Sequence, residues 1–133
     1  MAKGYNENQA RLQQLSAFGK DLARRSKSTC ELSGATGVPL KIYEIPPVKE
    51  PDFDRCLFIT EETIHQLDKA KNLQANQWRH LNELIWSDIP AVQLMSARIL
   101  LHLASKHPWA QDVLDTADLD PEIIAEANAA PLK

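Results

Sequence analysis

The sequence predicts an α+β fold that is mostly helical, with an N-terminal helix, a small β-hairpin and a C-terminal helical bundle. Apolar residues recur at helical spacing near the N-terminus, proline and glycine interrupt residues 26–59, and proline-led helix starts follow in the second half. The 133 residues, 44% hydrophobic and 25% charged, suit one domain with a modest core. We expect a disordered or frayed N-terminus over 1–7 and a single domain over 8–130.

The first predicted helix runs from Asn8 to about Arg25. Its apolar face is formed by residues three or four positions apart, namely Leu12, Leu15, Phe18 and Leu22. Basic side chains gather at its end and form a candidate basic patch, which consists of Lys20, Arg24, Arg25 and Lys27. Asp21 lies among these basic residues. We therefore prefer the interpretation that they stabilise the C-terminus of the helix, and the alternative is a phosphate-binding surface.

Two short strands are predicted in the segment that proline and glycine interrupt. Residues 40–45 alternate apolar and polar side chains for most of their length, which predicts a strand. Residues 55–59 predict a second and more buried strand. Thr60 is then placed to cap a short helix whose first turn holds Glu61 and Glu62. Acidic side chains in the first turn interact favourably with the positive end of the helix dipole.

The helical part is expected over 74–130. Asn76 is a candidate cap for a helix that extends to Ile85, and Pro90, Pro108 and Pro121 suit the first turns of later helices. The helix from Pro90 is apolar nearly all round, so we expect it at the centre of the core.

Three tryptophans are the large apolar anchors of the helical part. They are Trp78, Trp86 and Trp109, and the first two, eight positions apart, are expected to share one helix face. We favour packing against the central helix for all three. The alternative is that they form candidate partner-docking anchors, since tryptophan is enriched at the energetic centres of interfaces.

Three strings of unusual composition stand in order in the first half of the chain, CELSGA at 30–35, KIYEIPP at 41–47 and CLFITEET at 56–63. They resemble the N-terminal zinc-ribbon region of PhnA-like proteins, in which C-E-L-C-G precedes a V-Y-E-V-P-P strand and a C-x-x-C at a helix start. Further matches lie between residues 76 and 115, so the resemblance covers about 12–127. It implies a zinc ribbon over 26–68.

The resemblance implies four zinc-binding cysteines, of which this sequence keeps one. Cys30 stands at the first position, Ser33 at the second, and Thr60 and Thr63 at the third and fourth. A structural zinc site needs four ligands, mostly thiolate or imidazole, and neutral hydroxyls do not replace them. Cys56 lies four residues before Thr60, inside the second predicted strand. We therefore expect a degenerate ribbon with no zinc and no other cofactor.

No catalytic motif stands out. Two loops at the zinc-ligand positions, called knuckles, flank a strand. This layout also resembles the HNH nuclease core, whose strand ends in catalytic histidines. This strand carries Tyr43 and Glu44 instead, and His65 alone after the second knuckle does not make a nuclease site. Glycine-rich phosphate loops, serine elbows and metalloprotease motifs are missing from the sequence. We expect that the protein is not an enzyme.

Charge and composition narrow the partners. The net charge of −3 does not favour nucleic acid, and no apolar run is long enough to span a bilayer. Residues 1–8 lack the apolar core of a signal peptide, and two cysteines without one suggest reduced thiols in a cytoplasm. We expect a cytoplasmic, non-catalytic binding or accessory module with an unknown protein partner or a homo-oligomer. A nucleic-acid-binding ribbon remnant and, behind it, a metal-dependent enzyme are the alternatives.

Overall fold

The computed structural model describes residues 2–133, with side chains from Asn8 onward. In this part of the chain, six helices and three 3-10 turns surround a two-stranded antiparallel sheet, which confirms the predicted, mostly helical α+β class. The elements are α1 Ala2–Ser26, β1 Leu40–Glu44, β2 Cys56–Thr60, α2 Glu61–Asp68, α3 Leu81–Leu84, α4 Pro90–Ala104, α5 Pro108–Ala117 and α6 Pro121–Ala129. Of the expected frayed segment 1–7, Met1 lies outside the described residues and the remaining six belong to α1.

Helix α1 packs on the rest of the protein mainly through its C-terminal half. Leu22 is fully buried and Phe18 meets Phe53 edge-on, with ring centroids 5.7 Å apart, whereas Leu12 remains 49% exposed. The helix ends where Lys27 and Ser28 adopt positive φ angles of 56° and 57°. A left-handed turn of this kind cannot continue an α-helix.

The sheet pairs the two predicted strands in antiparallel register, with Leu40 opposite Thr60 and Glu44 opposite Cys56. Leu57 and Ile59 of β2 are fully buried, while β1 is only partly covered. This agrees with the prediction of a more buried second strand. The boundaries of the strands differ from the predicted ones by one residue.

Helix α4 lies at the centre of the core, as its apolar sequence predicts. Ten of its residues are buried, among them Met95, Ile99 and Leu100, and α3, α5 and α6 pack around it. Pro90 occupies its first turn, where the missing N–H costs nothing. The helix is therefore the support on which the rest of the helical part is arranged.

We expect truncation of Leu100 or Met95 to alanine to lower the free energy of unfolding by about 2–5 kcal/mol, because each removes a fully buried side chain and leaves a cavity. Urea unfolding measures the effect. Leu101→Ala is the matched control on the same helix and should cost less, since Leu101 is only partly buried. Equal losses in Leu100→Ala and Leu101→Ala would contradict the central position of Leu100.

The helix predicted from Asn76 to Ile85 is not continuous, and that prediction is wrong. A 3-10 turn, Ala75–Trp78, is followed by the separate short helix α3, and Asn76 caps neither. The break accompanies tertiary contacts of this segment. The Trp78 indole donates to Gln66 Oε1 at 3.0 Å and stacks on His80 with ring centroids 5.7 Å apart. Trp78 is thus buried and Trp86 exposed, so the two do not share one face.

A buried arginine ties the last helix to the loop after β1. Arg98 of α4 is 1% exposed and donates to the carbonyl oxygens of Ala127 at 3.0 Å, Glu126 at 2.8 Å and Pro46 at 2.6 Å. The bonds to Glu126 and Ala127 satisfy carbonyl groups at the C-terminal end of α6, which the helix itself leaves free. Burial lowers the pKa of Arg98 from its ordinary value.

Candidate functional site

The structure brings together all four positions that the resemblance assigns to zinc ligands. Cys30 Sγ lies 3.8 Å from Thr63 Oγ1, and the Oγ1 atoms of Thr60 and Thr63 are 2.9 Å apart. The backbone N–H of Ser33 donates to Cys30 Sγ at 3.4 Å. We call these four residues the knuckle cluster. They join the loop after α1 to the junction of β2 and α2.

The first half of the knuckle cluster lies in a tight loop that backbone hydrogen bonds close. The N–H of Gly34 donates to the Cys30 carbonyl at 2.9 Å, and the N–H of Cys30 donates to the Ala35 carbonyl at 2.9 Å. Gly34 has a φ of +80°, a conformation that other residues rarely adopt. The loop therefore directs the Ser33 N–H toward the Cys30 sulfur.

The second half of the knuckle cluster is a helix cap. Thr60 ends β2, and its Oγ1 accepts from the N–H of Thr63 at 3.2 Å, which confirms the predicted cap of α2. Both threonines are buried, and their hydroxyls bond to each other. These hydrogen bonds satisfy polar groups that would otherwise be costly to bury.

A buried ion pair fastens the Cys30 loop to β2. Arg25 Nε and Nη2 donate to the two carboxylate oxygens of Glu31 at 2.8 and 2.7 Å, and the side chains are 15% and 3% exposed. Glu31 Oε1 also accepts from the N–H of Phe58 at 2.8 Å, and Arg25 donates to the Cys56 carbonyl at 2.8 Å. We call this arrangement the Arg25–Glu31 clamp. It fastens the loop to β2 through hydrogen bonds between protein groups.

The knuckle cluster does not fit a zinc ion. It offers one thiol and three hydroxyls, and hydroxyls are poor zinc ligands at neutral pH because they stay protonated. Among the described residues, no group of three or more histidine, cysteine or carboxylate side chains is arranged to hold a metal ion.

No family model, curated protein or solved structure matches this chain. The role of the cluster has to follow from its own chemistry, which is that of a hydrogen-bonded joint.

The two cysteines differ in acidity. Burial would raise the pKa of the Cys30 thiol, but hydrogen bonds from Ser33 and from the backbone of Thr60 and Leu32 outweigh it, so the pKa lies below its ordinary value. Burial, reinforced by the negative charge of Glu44, raises the pKa of Cys56 to about 11.

We expect the thiolate absorbance of the folded protein to rise in two steps with pH, first from Cys30 and then from Cys56. The order follows because a lowered pKa populates the thiolate at lower pH. Ultraviolet difference spectra of Cys30→Ala and Cys56→Ala against the wild type measure the two steps separately. Loss of the lower step in Cys56→Ala would contradict the assignment.

A cavity of about 420 Å³ opens beside the knuckle cluster. Its polar lining includes Ser33, Thr60, Thr63, Gln66 and Gln77, and Lys41 and Glu61 form an ion pair of 3.2 Å beside it. Because Lys41, Glu61 and Glu62 also line the cavity, it offers both neutral and charged hydrogen-bond donors and acceptors to a ligand.

The candidate basic patch is divided in the structure. Arg25 belongs to the Arg25–Glu31 clamp and also lies over the Phe53 ring, 5.0 Å from its centroid. Arg24 lies 3.8 Å from the carboxylate of Asp21. Lys20 and Lys27 are exposed. With one of its four members buried and another paired, the patch offers less positive charge than the sequence suggests.

The three tryptophans have three different environments. Trp78 is buried, and Trp109 is partly buried with the Arg79 guanidinium 4.9 Å from its ring centroid. Trp86 is 59% exposed. Packing therefore accounts for two of the anchors, and Trp86 alone of the three presents most of its surface to solvent.

Two features of the site were missed by the sequence analysis. Glu31 lies within the CELSGA string, but nothing in the string indicates a bond to a strand 27 positions away. Arg98 sits in an apolar helix, which is the only sequence signal that it is buried.

None of the helices in the described part has the length and apolar character needed to cross a bilayer.

Proposed function

We propose that this chain is a non-catalytic binding or accessory module of the PhnA-like kind that has lost its structural zinc. The observation that carries the proposal is the convergence of the knuckle cluster. Residues 30–33 and 60–63 meet as two metal-binding knuckles would, and hydrogen bonds connect the side chains of Cys30, Thr60 and Thr63 and join the Ser33 N–H to the Cys30 sulfur. The Arg25–Glu31 clamp and the Thr60 cap take over the task of holding the ribbon.

The end of strand β1 supports a role without catalysis. Burial and the charge of Asp68 raise the pKa of Tyr43 to about 12, so its phenol stays neutral at ordinary pH. Glu44 forms an ion pair with Arg11. His65 is exposed on α2, and no histidine, cysteine or carboxylate side chains in the described part of the chain are arranged with it to hold a metal. Neither a general base nor a catalytic metal is provided at the position that a nuclease would use.

Metal analysis and unfolding of the purified wild-type protein test the proposal. We expect no stoichiometric zinc, an unchanged melting temperature in EDTA, and no magnesium- or manganese-dependent cleavage of plasmid DNA. One equivalent of tightly bound zinc with unfolding in EDTA would overturn the loss of the metal. Plasmid cleavage that His65→Ala abolishes would overturn the non-catalytic role.

A further inference from the structure

The exposed indole of Trp86 stands on a rigid base. The N–H of Trp86 donates to the Glu83 carbonyl at 3.1 Å, closing the turn that follows α3. The neighbouring Ile85 is fully buried, and its carbonyl accepts from Gln93 of α4 at 3.0 Å. The backbone that carries the indole is therefore fixed to the central helix, and binding at the ring would cost little ordering of this segment.

Trp86 forms one wall of a cavity of about 310 Å³ between α3 and α5. Its other lining residues are Asn82, Asp112, Val113 and Thr116, and we call this cavity the indole pocket. Asp112 is exposed, and within residues 8–133 no basic side chain approaches its carboxylate to 4.0 Å. By contrast, Asp115 on the same helix accepts from Gln111 at 2.8 Å. The carboxylate of the indole pocket thus lacks a counterion in this part of the chain.

A cavity lined by both an indole and a carboxylate is complementary to a cation that has a flat, partly apolar surface. The ring quadrupole attracts positive charge, and tryptophan is the best of the aromatic residues for this contact. A guanidinium group stacks on an indole and donates several N–H bonds in a fixed fork, for which Asp112, Asn82 and Thr116 supply acceptors. The negative charge of Asp112 disfavours phosphate or carboxylate ligands.

We propose that the indole pocket binds an arginine side chain presented by a basic segment of a partner protein. This inference rests on the proposed function as a binding module and identifies the chemistry of its partner. A protein segment is favoured over a small cation because Trp86, Asn82, Asp112 and Thr116 are all exposed. Such a shallow site leaves a small ligand largely in solvent, whereas a segment gains contacts beyond the pocket. The net charge of −3 favours a basic partner.

Binding of an acetylated peptide of alternating glycine and arginine tests this proposal with the full chain. The anisotropy of the labelled peptide gives its affinity. The indole N–H resonance that disappears in Trp86→Phe locates the contact. We expect saturable binding that moves the Trp86 resonance. A citrulline peptide, which keeps the shape but not the charge, should not bind.

Two matched variants separate a specific site from general attraction. Asp112→Asn should weaken binding about 5-fold, whereas Asp115→Asn, on the same helix and outside the pocket lining, should leave it unchanged. Trp86→Ala should remove saturable binding. All three side chains are exposed, so the variants should melt like the wild type.

Several results would overturn the proposal. Equal loss in Asp115→Asn and Asp112→Asn would show only general attraction to negative charge. Free arginine binding as tightly as the peptide would identify a small-molecule site. Self-association in light scattering that Trp86→Ala abolishes would identify a second copy as the occupant. None of these results bears on zinc content or on EDTA, so the proposed loss of the metal is tested independently.

Discussion

Replacing Ser33, Thr60 and Thr63 together by cysteine is expected to convert the knuckle cluster into a zinc site and to raise the free energy of unfolding by several kcal/mol in zinc. Structural zinc contributes about 10–16 kcal/mol of binding free energy in small zinc-finger peptides. Only a part of this is needed to exceed the cost of the lost Thr60 cap, which is about 1 kcal/mol.

The geometry of the knuckle cluster supports this expectation. Four sulfurs around a tetrahedral zinc, each at about 2.3 Å, lie about 3.8 Å from one another. Cys30 Sγ and Thr63 Oγ1 are 3.8 Å apart, and the N–H of Ser33 already donates to the Cys30 sulfur. The Oγ1 atoms of Thr60 and Thr63, at 2.9 Å, would have to separate by about 0.9 Å. Ser33 is exposed, which leaves room for a cysteine at that position, whereas the separation has to occur between two buried side chains.

Thermal unfolding of the triple variant with zinc and with EDTA measures the effect. Visible absorption of the Co²⁺ form would report tetrahedral thiolate coordination. The matched control adds Cys30→Ser to the triple variant, which leaves three thiols and should lose most of the stabilisation. A triple variant that folds but binds no zinc would show that the four positions are not aligned as ligands.

Arg98→Met is expected to lower the free energy of unfolding by about 3–5 kcal/mol. The change keeps an unbranched apolar chain in the core but leaves the carbonyls of Pro46, Glu126 and Ala127 without their donor. A buried acceptor that loses its partner, as at Ala127, costs about 1–3 kcal/mol, the part-buried acceptors of Pro46 and Glu126 cost less, and removal of a buried charge offsets part of the sum. Arg98→Lys should restore only a fraction, since an ammonium cannot reproduce the guanidinium fork.

Chemical denaturation gives the free energy of unfolding of Arg98→Met and of Arg55→Met. Comparing the two variants separates the effect of losing buried hydrogen bonds from the effect of losing a positive charge. Arg55 also faces Glu126, through its carboxylate at 2.9 Å, but that carboxylate is largely exposed. Loss of the Arg55–Glu126 ion pair should lower the free energy of unfolding by less than about 1 kcal/mol, as for other exposed ion pairs. Similar costs for both variants would mean that the three carbonyls bonded to Arg98 find water in its absence.

Local signals explain which parts of the fold were predictable from the sequence. The apolar surface of α4, the cap at Thr60 and the prolines at the helix starts each act within a few residues, and these elements are found as expected. The meeting of residues 30–33 and 60–63 followed from a resemblance to a known pattern, because neither periodicity nor spacing relates such distant segments.

Contacts between distant residues explain where the sequence analysis failed. The break before α3 accompanies contacts of Trp78 with Gln66 and of His80 with Leu32, at 3.0 and 2.6 Å, which local propensity does not describe. The exposure of Trp86 depends on the same break. The place of Asp112 in the indole pocket depends on how α5 lies beside α3.

The Arg25–Glu31 clamp has an evolutionary consequence. In a ribbon that depends on its metal, losing one ligand disables the other three, so intermediates with three cysteines are selected against. Here the loop is fixed to β2 by the Phe58 N–H, which donates to the Glu31 carboxylate at 2.8 Å, and by the Glu31 N–H, which donates to the Phe58 carbonyl at 3.0 Å. Under the proposed loss of zinc, such a second fastening would let the ligand positions change one at a time without unfolding the loop. Selection would then conserve the charged residues at positions 25 and 31 more strongly than cysteine at positions 33, 60 and 63.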